Sequence, residues 1–152
     1  PEYFKTGKYT AKKAVATISN AMDVGDPSNF IRILEMFNHN MDTLKEKIST
    51  CSISDEQVKS TIRNVLANDK YLLDPHGAVA YQALKDYLIT NESAKGIFLE
   101  TAHPVKFYDV VEPVIQQQVP VPESVQKQLN KVKQSFKLAA DSNLLKSFLK
   151  DL

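Results

Sequence analysis

A chain of 152 residues, 43% of them hydrophobic, can bury one ordinary core, and its length fits a single domain. Nineteen Lys and Arg against eighteen Asp and Glu leave a net charge of +1, too weak a field to recruit nucleic acid or an anionic membrane surface. The longest apolar runs are far short of the ~20 residues that cross a bilayer, and the lone Cys51 excludes an intrachain disulfide; both point to a reducing compartment, the cytoplasm.

Residues Pro1 to Tyr9 carry neither an initiator Met nor a basic-then-apolar leader, so a start inside a longer chain fits better than a secretory signal. Ala14-Val15-Ala16-Thr17-Ile18 is short, apolar and β-branched, and predicts a buried strand over 14–18. Gly25-Asp26-Pro27 then supplies a turn. Asp26 is placed as an N-cap and Pro27 at the first helical position, with Phe30, Ile33, Leu34 and Phe37 on one apolar face of a helix over 27–37.

Ser54 and Gln57 have the spacing of a capping box, and Val58, Ile62, Val65 and Leu66 follow at helical spacing, which predicts a helix over 55–67. Asp74-Pro75 repeats the start signal for a helix ending near Asn91. The run from Lys95 to Thr101 reads as a second buried strand, and His103-Pro104 opens a further helix that Pro113 should end or kink. Apolar strands alternating with helices predict an α/β fold with parallel strands, over residues 1–118. Two strands make a poor sheet alone, so its remainder is expected to be missing or supplied by a second copy through self-association. Residues 119–152 read as a helical tail, with Val125, Leu129, Val132 and Phe136 spaced by four, three and four, and Leu144, Leu145, Phe148 and Leu149 on a last amphipathic helix.

Several kinds of chemistry lack their residues. Cys51 has no adjacent His or basic residue to lower its pKa, and three separated His with one Cys give no metal-ligand spacing, so no metal is expected. Gly7, Gly25, Gly77 and Gly96 lie too far apart to form a phosphate-cradling loop. Lys127, Lys131, Lys133 and Lys137 flank an apolar stripe without clustered aromatics, the pattern of a solvated helix face.

Three segments carry more. They are Ser19-Asn20-Ala21-Met22-Asp23 continuing through Pro27-Ser28-Asn29-Phe30 to Arg32, Asp74-Pro75-His76-Gly77-Ala78-Val79-Ala80, and Thr101-Ala102-His103-Pro104-Val105-Lys106-Phe107. In this order they resemble the motifs of the threonine synthases, pyridoxal-phosphate enzymes of fold type II, with Asp26 and Gly77 departing from residues common in relatives. The resemblance covers roughly residues 3–113 and implies the C-terminal part of an enzyme that converts O-phosphohomoserine and water to threonine and phosphate.

On that resemblance Thr101 is the hydroxyl that meets the cofactor's pyridine nitrogen. A hydroxyl holds the ring without the negative charge that would keep the nitrogen protonated. The position at the carboxyl end of a strand agrees, since open α/β sheets place ligands there; the local alternative is a hydroxyl that only satisfies backbone groups. Ser19, Asn20, Ser28, Asn29, Arg32 and His76 are the implied substrate residues, against a reading in which Asn20 and Asp26 build turns and His76 packs in a first helical turn. His103 is expected to serve the strand–helix junction. No catalytic residue is implied within the chain, because Lys106, Lys13, Lys85 and Lys95 do not resemble the family's cofactor-anchoring lysine motif. The expected fragment is therefore inactive alone; a standalone, non-catalytic or partner-dependent module is the alternative.

Overall fold

The computed structural model describes residues 1–21, 24–129 and 131–151, in two compact units, Pro1–Val119 and Pro120–Leu152. In the first, α1 (Glu2–Thr6), α2 (Phe30–Met36) and α3 (Met41–Lys47) precede the longer α4 (Asp55–Asp69) and α5 (Pro75–Thr90). A single 3-10 turn, Pro104–Phe107, then runs directly into α6 (Tyr108–Ile115). The second unit holds α7 (Glu123–Leu129) and α8 (Ser142–Lys150).

The core lies where α4, α5 and α6 pack together. Val58, Ile62 and Val65 recur at helical spacing along α4 and bury against Leu73, Ala78 and Val114. Ile18, Phe98 and Tyr81 pack on the margin of this cluster. A second group, Phe107, Val111 and Val119, continues it beneath the 3-10 turn. Thr61, the buried polar residue of α4, donates its hydroxyl to Gln82 Oε1 of α5 at 2.9 Å, so the helix interface strands no polar group there.

Both strong helix starts form as their sequence signals predict. Ser54 Oγ accepts the Gln57 N–H while Gln57 Oε1 accepts the Ser54 N–H, a complete capping box. Asp74 caps α5 with Pro75 at its first position, and α5 ends at Thr90 with Asn91 as its C-cap. Asn40 caps α3 through the Asp42 and Thr43 N–H groups, with Asp42 in the first turn and Lys45 and Lys47 in the last. That helix and α1 are not in the sequence reading.

Other expectations are corrected. The helix over 27–37 begins at Phe30, capped by Asn29 without a side-chain bond; Asp26 instead accepts the Tyr9 hydroxyl at 2.6 Å. Pro113 lies inside α6, which ends two residues later at Ile115 with a left-handed Gln116 as its cap. The tail is not helical throughout, since residues 131–139 separate α7 from α8. Among the described residues there is no β-ladder: 14–17 and 94–101 are non-helical chain and Ile18 lies in a turn, so parallel strands within an α/β sheet are not formed by this chain. The physical reason is pairing. A strand exists only against a neighbour that takes its N–H and C=O groups, and these two segments lack one here.

Candidate functional site

The second motif is built by burial. Leu73 is fully buried in the core and carries Asp74 in with it, at 0% exposure. Asp74 Oδ1 accepts the His76 N–H at 2.8 Å, which closes the first turn of α5, and lies 3.1 Å from His76 Nδ1. The imidazole is half-buried and packs on Phe107 of the third motif, ring centres 5.0 Å apart. The first motif joins them as well: Ser19 Oγ donates to the Pro75 carbonyl at 3.3 Å, just beyond a turn tied to α4 by Ile18 N–H donating to Asp55 Oδ1 at 3.3 Å.

The segment 95–101 runs along α5, with Gly96 beside Leu84, Phe98 beside Tyr81 and Glu100 beside Gly77. Its side chains alternate: Phe98 meets Tyr81 edge-on at 5.5 Å, and two residues later Glu100 turns to the same side. Glu100 Oε1 accepts the Asp74 N–H at 2.8 Å. Its Oε2 stands where a Cβ on Gly77 would lie 1.7 Å away, so residue 77 has no room for any side chain while Glu100 holds this position. Ile97 and Leu99 face the other way and are 90% and 72% exposed.

Two carboxyl groups thus meet at the N-terminus of α5. Burial pushes the Glu100 carboxyl up to about 7, partly opposed by the Asp74 N–H it accepts and reinforced by the adjoining Asp74 carboxyl. Asp74 Oδ2 and Glu100 Oε2 are both buried without a hydrogen-bond partner. In sequence Asp74 reads as a helix cap and the first residue of the second motif, and Glu100 as a strand residue without a site role. The signal was a single acid in the otherwise apolar run Ile97-Phe98-Leu99-Glu100, and the missing information was which side chain faced it.

Thr101 follows Glu100 directly, with its side chain exposed. Asn20 is exposed beside Ser19. His103 Nδ1 accepts the Val105 N–H at 3.1 Å and caps the 3-10 turn, the junction role expected of it. Ser28, Asn29 and Arg32 are exposed at the start of α2, which Phe30 fastens to Tyr3 and Tyr9 rather than to the carboxyl pair. Met22 and Asp23 of the first motif lie outside the described residues. The structure therefore brings Ser19, the Pro75-His76 start of α5 and Phe107 at the end of the third motif together, and leaves the α2 residues apart.

The family model described as threonine synthase, C-terminal, matches residues 77–149. A threonine synthase of Haemophilus influenzae is 43% identical over 127 residues, 84% of this chain and 29% of that protein. The crystal structure of threonine synthase from Escherichia coli matches 99% of the chain with a TM-score of 0.80 and 35% identity, covering 34% of its own chain. In sequence and in fold the chain is similar to threonine synthases. It corresponds to the C-terminal portion and spans about a third of the length of these relatives. A PLP-bound threonine synthase from Brucella melitensis shares the fold, with a TM-score of 0.64 at 23% identity over 99% of the chain and 37% of its own. Among the described residues no cluster of His, Cys, Asp and Glu is arranged to hold a metal ion, and no helix is long and apolar enough to cross a membrane.

Proposed function

We propose that this chain is the C-terminal third of a pyridoxal-phosphate-dependent threonine synthase, acting on O-phosphohomoserine and water to give threonine and phosphate. The observation that carries the reading is the E. coli threonine synthase match along nearly the whole chain. The cofactor assignment has the support of the PLP-bound Brucella relative and of the three motifs.

The residues present fit one part of the cofactor. The Thr101 hydroxyl is exposed on a segment anchored from its other face by Phe98 and Glu100, so it can present a donor or acceptor to a ring nitrogen. The phosphate has no glycine-rich cradle in this sequence, and the covalent anchor is assigned to the chain upstream. The cofactor, when bound, supplies an electron sink. This chain's own residues hold the ring and shape the pocket. Ser19, Asn20, Ser28, Asn29, Arg32 and His76 are assigned to O-phosphohomoserine, the guanidinium matching a phosphate.

In this account residues 1–118 complete the α/β cofactor domain of a cytoplasmic enzyme and 119–152 form its tail. Segments 14–18 and 95–101 become central parallel strands once upstream strands pair with them. The isolated chain is inactive and self-associates. Adding pyridoxal phosphate to it and reducing with borohydride tests the assignment: no single lysine should be labelled saturably. A saturable adduct at one lysine would place a covalent site inside this chain.

A further inference from the structure

We propose that Asp74 and Glu100 hold one proton between Oδ2 and Oε2, and that this pair is the positioning element which fixes Thr101 against the start of α5. The cofactor half of this inference rests on the role assigned to Thr101 above; the proton half does not.

The hydrogen-bond arithmetic leads to it. Ionised carboxylates only accept, so two of them cannot satisfy one another. Glu100 Oε1 is already engaged by the Asp74 N–H and Asp74 Oδ1 by the His76 N–H, which leaves one buried oxygen on each without a partner. Among the described residues neither carboxyl is ion-paired with a Lys or Arg, and the imidazole of His76 lies against Asp74 Oδ1 rather than against the two orphaned oxygens. The groups facing Glu100 are the Asp74 carboxyl and, on the far oxygen of Asp74, the His76 imidazole; the 3-10 turn contributes the Phe107 ring, with Lys106 Nζ 5.7 Å from that ring's centre, and the 18–20 segment contributes the Ser19 hydroxyl at Pro75. A proton on Glu100 Oε2 turns one orphan into a donor and the other into its acceptor. Both buried atoms are then satisfied, and one negative charge remains at the helix N-terminus, where the backbone dipole favours it.

The mechanical consequence follows from position. Glu100 precedes Thr101 in the chain, and its carboxyl is held from two sides, by the Asp74 N–H and by the space that Gly77 leaves empty. Ionising the pair sets two like charges together in a buried place and pushes Glu100, with Thr101 behind it, off the helix.

The Glu100 carboxyl is raised from an ordinary value of 4.5 to about 7. Its contribution to stability is therefore complete below the unfolded value, falls as pH rises toward the folded one, and is level above it. Glu100→Gln is neutral at every pH, and its amide can donate to Asp74 Oδ2 while its oxygen accepts the Asp74 N–H. Asp74→Asn keeps the cap acceptor and supplies a donor to Glu100. The test compares unfolding midpoints of the holoenzyme across pH 5 to 8. The expected result is that each variant matches the wild type at pH 5 and exceeds it at pH 8. A wild-type minus variant difference that does not change with pH overturns the shared proton. The same series, read for pyridoxal phosphate affinity, should show the wild type weakening several-fold relative to Glu100→Gln as pH rises; a constant ratio overturns the positioning role. Thr101→Val separates the two readings, because it should weaken affinity at all pH values and leave the stability profile unchanged. No loss of affinity in Thr101→Val would sink the cofactor role of Thr101 and the positioning role with it, and would leave the proton to be decided by the stability profile.

Discussion

The layer of α4, α5 and α6 and the two extended segments are made of similar residues and end in opposite states. Val58, Ile62 and Val111 are fully buried, whereas Val15, Ile97 and Leu99 stand largely in water. Both regions are apolar in sequence. What differs is where the partner comes from: a helix satisfies its own backbone and needs only a neighbour for one face, while a central strand needs partners on both edges and both faces. The first need is met within this chain. Ser19, Phe98 and Glu100 give the extended segments one anchored face and no second one.

The comparison can be broken from the helical side first. Ile62→Ala removes a fully buried side chain from the centre of α4 and should cost about 2–5 kcal/mol in denaturant unfolding, in the chain alone and in the full-length enzyme alike. A loss that appears only in the full-length protein would mean that α4–α6 do not form a core of their own. Thr101→Val, in the full-length enzyme, should weaken cofactor binding by about tenfold to a hundredfold, on the order of 1–3 kcal/mol for a lost buried hydrogen bond; unchanged affinity and cofactor spectrum leave Thr101 a surface hydroxyl. Ser54→Ala should lower stability by about 1 kcal/mol through the lost capping bond, wherever α4 is measured. Ile97→Ala has the smallest expected effect in the isolated chain, within about 0.5 kcal/mol as for an exposed site. In the full-length enzyme it should become a core substitution, and that contrast sharpens the comparison most.

The sequence made the helical layer legible because its signals are local. Ser54 with Gln57 and Asp74 with Pro75 mark helix starts through bonds spanning a turn, and both formed as read. Asp26 failed as a cap because a distant hydroxyl, from Tyr9, took its carboxylate. The tail periodicity through Val132 and Phe136 gave no helix over 131–139, where helical spacing occurs without a cap or a buried face. At the site, the first and second motifs meet where Ser19 reaches the Pro75 carbonyl beside His76. The Asp74–Glu100 pair was invisible because it joins residues 26 positions apart through a packing set by Phe98 and Tyr81. Gly77, legible only as a small residue, has its reason in that same packing.

Amide hydrogen exchange decides whether segments 14–18 and 95–101 are, as proposed above, strands that pair only within a larger sheet. In the isolated chain at low concentration, α4, α5 and α6 should be protected while 14–18 and 95–101 exchange freely; protection of the two segments should rise with concentration as copies associate, and should be complete in the full-length enzyme. Full protection of both segments in a chain that light scattering shows to be monomeric would mean that this domain satisfies them itself, and would contradict the account.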